Sequence, residues 1–131
     1  MFLHLMNGAQ KLEFLKLARQ IVGADDVVVD AEKAYLSRLF REGGLSAADR
    51  SAIPHGAVAD PAVFDTRRTR IAAAVEALIL AWIDGEFDAA EQNIANDLFE
   101  QLGIDDIDRA EVQQAAENAV AAIDAVKKLT A

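Results

Sequence analysis

Apolar residues recur every three or four positions in several stretches of this chain, the spacing that lines one face of an α-helix. Leu12, Leu15, Ala18 and Val22 define the first such face, widened by Phe14, Leu17 and Ile21. Tyr35, Leu36, Leu39 and Phe40 define the second, which Gly43 and Gly44 are expected to end. A third stripe runs through Ile71, Val75, Leu78, Ile79 and Trp82. A fourth takes in Ile94, Ala95, Leu98, Phe99 and Leu102 and stops at Gly103. The last helix is expected from about Asp108 to Leu129, presenting Val112, Ala116, Ala119, Ile123 and Val126. Lys127 and Lys128 then fall where the helix dipole favours cations. Both prolines lie between Ser51 and Asp65, which predicts a connector with at most short helical turns. No segment alternates with period two for long enough to make a sheet, so the expected fold is all-α.

The chain also matches itself. A shift of 59 residues lays ADDVVVDAEKAYLSRLFREGGL on IDGEFDAAEQNIANDLFEQLGI. Asp25 falls on Asp84, Ala31 on Ala90, Glu32 on Glu91, Leu39-Phe40 on Leu98-Phe99 and Gly44 on Gly103. The unlike pairs Val28/Phe87 and Leu45/Ile104 stay apolar. Two duplicated helix–turn–helix units, about residues 17–45 and 76–104, account for this. They are expected to pack as paired hairpins on one core, with a C-terminal helix, in a single domain over 1–131.

Composition narrows the function classes. At 131 residues and 53% hydrophobic, the chain can bury a core and is not a disordered segment. It has no cysteine, which removes disulfides, thiolate metal sites and a cysteine nucleophile. A net charge of −9 argues against nucleic acid and against anionic membrane surfaces, and favours cations or basic protein surfaces as partners. The start, MFLHLMNGAQKLEF, has neither the basic region nor the cleavage site of a signal peptide, and the 13-residue apolar run from Ile71 to Ile83 is too short to span a bilayer and reads as a buried helix. A cytoplasmic location is the expectation.

With the start MFLHLMN, a helix, an acidic Asp-Asp or Asp-Gly turn and a Glu opening the next helix, the chain resembles the TerB-like family of tellurite-resistance proteins over nearly its whole length. The motif residues are Asp25-Asp26 with Glu32, and Asp84-Gly85 with Glu91; Asp26 stands where glycine is usual. The resemblance implies a small, all-helical, cytoplasmic domain tied to tellurite and stress resistance. It also implies that the acidic residues bind metal and that the partner is another protein of a stress-response assembly.

Two readings of the acidic turns stand side by side. In one they are only turns: Asp88-Ala-Ala-Glu91 has capping-box spacing and Asp-Gly is ordinary turn chemistry. In the other, Asp25, Glu32, Asp84 and Glu91 converge on a hard divalent cation, Ca²⁺, Mg²⁺ or Mn²⁺. The second gains from Asp25 and Asp84 each following the end of an apolar helix, where the dipole disfavours negative charge. An EF-hand is excluded. With Gly85 at the sixth loop position and Glu91 at the twelfth, the first and third are Leu80 and Trp82, which offer no oxygen.

Elsewhere His4 and His55 are isolated, and Ser37, Ser46 and Ser51 have no histidine nearby to activate them. Arg67, Arg68 and Arg70 cluster at a helix start, where pairing with carboxylates or docking an acidic partner would offset the dipole. The function expected is that of a non-enzymatic helical binding or scaffold domain whose acidic turns are its functional face. The alternative is a metal-dependent hydrolase in which converging Asp and Glu hold cations that activate water.

Overall fold

The computed structural model describes residues 2–23, 30–54, 56–83 and 89–131, with the backbone alone at 22–23, 30–33, 50, 90–91 and 94. The helices are α1 (Gly8–Gly23), α2 (Asp30–Glu42), α3 (Ala47–Ser51), α4 (Arg67–Trp82), α5 (Ala89–Leu102) and α6 (Asp106–Leu129). Single 3₁₀ turns occupy Leu3–Leu5 and Pro61–Val63, and no strand occurs among the described residues. The fold is all-α.

Local chemistry sets where these helices start and stop. Asn7 Oδ1 accepts from the Gln10 N–H at 2.9 Å while Gln10 Oε1 accepts from the Asn7 N–H at 2.9 Å, a reciprocal cap on α1. At α4, Thr66 Oγ1 accepts from the Thr69 N–H at 3.1 Å and Thr69 Oγ1 from the Thr66 N–H at 3.3 Å. The C-terminal ends of α2 and α5 use another shared device. Gly44 and Gly103 adopt φ of 69° and 64°, which glycine reaches without steric cost. The next amide then turns back in each case, Leu45 N–H to Phe40 O and Ile104 N–H to Phe99 O, both at 2.9 Å.

The following helices are capped by Ser46 Oγ on the Asp49 N–H at 3.1 Å and by Asp105 Oδ1 on the Asp108 N–H at 2.9 Å. Each of these pairs keeps the 59-residue spacing seen in the sequence, as do both ends of α1 and α4 and the starts of α2 and α5.

The core forms around α4, which packs against α1, α2, α5, α6 and the Leu3–Leu5 turn. Every residue from Ala72 to Trp82 is buried, as expected of the apolar run Ile71–Ile83. Alanines at 72, 73, 74, 77 and 81 explain how: small side chains let neighbouring helices approach on every side. The first stripe departs from expectation at one described position. Leu12 is exposed, while Phe14, Leu15, Leu17, Ala18 and Ile21 face the core. On α6, Val112 and Ala116 are buried and Ile123 is half-buried, but Val126 is 58% exposed, so the helix runs on past the body that supports it. The short α3 fell in no predicted element. Five residues carry no readable period, and its one signal was the Ser46–Asp49 cap.

Of the arginine cluster, Arg67 ties the start of α4 to the first turn of α6. Its Nε and one terminal nitrogen donate to the two Asp108 oxygens at 2.9 and 2.7 Å. Arg70 donates to the Phe64 carbonyl at 3.4 Å. The hydrogen bonds from Arg67 hold the Asp108 carboxyl below its ordinary range. A depressed folded-state pKa contributes stability above the unfolded value, about 4 for Asp, that is lost as pH falls through the folded value. Arg67→Gln is therefore expected to be less stable than the parent at pH 7 and to lose less on acidification. Urea melts at pH 7 and pH 3 give the comparison, and equal acid losses in both proteins would contradict the assignment.

Candidate functional site

Asp25 and Asp84 lie outside the described residues, as do the side chains of Glu32 and Glu91 and the capping residue proposed at Asp88. What is described is their frame. α1 ends at Gly23 and α4 at Trp82, α2 begins at Asp30 and α5 at Ala89, so both acidic segments connect helices of matched register. Leu80 and Trp82 are buried in α4, which rules out the calcium loop that would need oxygen ligands there. Among the described residues no three His, Asp or Glu side chains are grouped for a metal. His4 is exposed, His55 lies outside the described residues, and Ser46 is spent on its cap.

The polar centre that the structure does show is Glu76. It sits in the middle of α4, fully buried, with alanine, leucine and isoleucine neighbours along the helix. Its Oε1 accepts from the Phe2 backbone N–H at 2.6 Å and its Oε2 from the Tyr35 hydroxyl at 2.6 Å. Both oxygens accept, as those of an ionised carboxylate do, and both contacts have the short length of charge-assisted hydrogen bonds. One side chain thus joins the N-terminal segment, α2 and α4. Burial, reinforced by the Glu76 charge and hydrogen bond, pushes the Tyr35 phenol far above its ordinary range.

Above Tyr35 the surface opens into a groove of about 270 Å³ between α2 and the end of α6. Tyr35, Ile83 and Ile123 supply its apolar lining, and Arg38, Arg41 and Lys127 its cations. Arg38 lies over the Tyr35 ring, 5.6 Å from the centroid, within cation–π range. It also approaches Glu42 at 4.0 Å, while Lys128 pairs with Asp124 at 3.0 Å. Neither Arg41 nor Lys127 forms an ion pair with another described residue. The Tyr35 hydroxyl is committed to Glu76, so the groove offers charge and apolar surface for binding.

Sequence reasoning missed both features. A signal for Glu76 did exist, since it is the one charge in the 13-residue apolar run Ile71–Ile83, and a buried carboxylate requires hydrogen-bond donors. For the groove there was no local signal, because its cations come from positions 38, 41 and 127. Comparison of the chain with protein-family models, curated proteins and solved structures finds no match.

Proposed function

We propose that this chain is a non-enzymatic helical binding or scaffold domain of the TerB-like kind, working with another protein of a stress-response assembly. Its acidic interhelical turns form the functional face and take Ca²⁺, Mg²⁺ or Mn²⁺ through Asp25, Glu32, Asp84 and Glu91. The observation carrying this reading is the shared register of helix limits and caps. α1 and α4, with identical spacing at both ends, each lead into an acidic segment. In a duplicated unit Asp25 and Asp84, 59 residues apart in sequence, would occupy equivalent positions. Retaining an aspartate after both helices, against the dipole by about 0.3–1 kcal/mol each, has a ready purpose if a cation offsets the charge.

The test is a pair of substitutions, Asp25→Asn with Asp84→Asn, which remove charge and keep size and turn propensity. Thermal melts in chelator should find the double variant at least as stable as the parent, because like-charge repulsion is gone. Added cation should raise the parent alone, by about 2.7 kcal/mol at a hundredfold excess over Kd. Equal shifts in parent and variant, or none in either, would remove these aspartates as ligands. Metal-dependent turnover of phosphate esters would favour the hydrolase instead.

A further inference from the structure

We propose that the groove between α2 and α6 binds a small amphiphilic anion, a carboxylate or phosphate monoester carrying a compact aromatic or aliphatic body. The charge distribution is the first argument. In a chain of net charge −9, Arg38, Arg41 and Lys127 from two separate helices line one cavity. Neither Arg41 nor Lys127 is paired with a carboxylate among the described residues. Apolar walls beside the cations reduce solvent screening and strengthen that attraction.

Shape is the second argument. Tyr35, Ile83 and Ile123 make a lining that suits a flat or branched hydrocarbon body, and about 270 Å³ lies just below the usual small-molecule range of about 300–1,000 Å³. A compact ligand therefore fits better than a long one. Extended polyanions such as nucleic acid would be repelled by the chain's net charge of −9. The lining is also held in place before binding. The Tyr35 hydroxyl is anchored on Glu76 at 2.6 Å and Arg38 is seated over its ring, so the ligand need not order them.

The probe is anilinonaphthalene sulfonate, whose fluorescence rises when its aromatic body leaves water. At low ionic strength the folded protein should bind it saturably at one site, and benzoate or phenyl phosphate should displace it. The uncharged analogue N-phenylnaphthylamine should bind at least about tenfold more weakly, since the cations supply much of the affinity. Arg41→Glu with Lys127→Glu should weaken binding about tenfold or more. Lys11→Glu with Arg68→Glu, the same charge change away from the groove, should change it less than about twofold. All these positions are at least partly exposed, and a cooperative melt for each variant confirms that dye is not reporting a loosened core. Equal weakening by both pairs, fluorescence without saturation, or displacement by an acidic peptide but by neither small anion would each overturn the proposal.

Discussion

Replacing Glu76 with leucine is expected to destabilise the fold by about 2–4 kcal/mol, and Tyr35→Phe is expected to restore part of that loss. Leucine fills the space in α4 but leaves the Tyr35 hydroxyl and the Phe2 amide without their carboxylate. Each buried donor stripped of its acceptor costs about 1–3 kcal/mol, and better apolar burial offsets some of this. Tyr35→Phe alone removes a donor from a buried charge and should cost about 1.5–3 kcal/mol. In the leucine background the same change deletes an orphaned hydroxyl, so it should be neutral or stabilising.

The double variant should then be more stable than the sum of the single losses by about 2 kcal/mol or more. Urea denaturation of the four proteins at pH 7, followed by helical circular dichroism, measures the cycle. Trp82, the only tryptophan and a buried one, gives a second probe of the same transition. Additive losses would show that Glu76 and Tyr35 act independently, against the 2.6 Å contact.

At alkaline pH, Tyr35 is expected to ionise only when the protein unfolds. Its phenol is buried and donates to a carboxylate, so the phenolate would be both desolvated and repelled, and its folded pKa is raised. A raised value means that the contribution to stability is complete below the unfolded pKa, about 10, and is lost as pH rises beyond it. Tyr35 is the only tyrosine, so phenolate absorbance reports this group alone. The absorbance change should be steep and coincide with loss of helix, rather than tracing the shallow curve of a free phenol. The unfolding free energy from urea melts should fall between pH 10 and 11 for the parent, by up to about 1.4 kcal/mol per pH unit from this group, with a smaller fall for Tyr35→Phe. Ionisation near pH 10 with helicity intact would place Tyr35 in water.

The helices were legible because their determinants are local. Gly44 and Gly103 end α2 and α5 through backbone geometry at single residues, and Asp105 caps α6 within one turn. The all-α class follows from the same short-range spacing. The 59-residue self-match was legible too, because it is a property of residue order alone, and the caps at Asn7 and Thr66 share its spacing.

Burial was less legible than helicity. The apolar run Ile71–Ile83 marked α4 as a buried helix but not what encloses it, since five neighbouring elements surround it and only assembly brings them there. On α6 the stripe continues unchanged to Val126, and nothing in the spacing says that support ends near Ile123. The sequence by itself determined the helices and their caps, interactions closed within a few residues. Tertiary structure alone decided that Glu76 meets an amide 74 residues away and a phenol 41 residues away, and that Arg38 and Arg41 share a groove with Lys127. Such contacts depend on how whole helices dock, and docking is set by side-chain packing summed over the core, which no short window of residues contains.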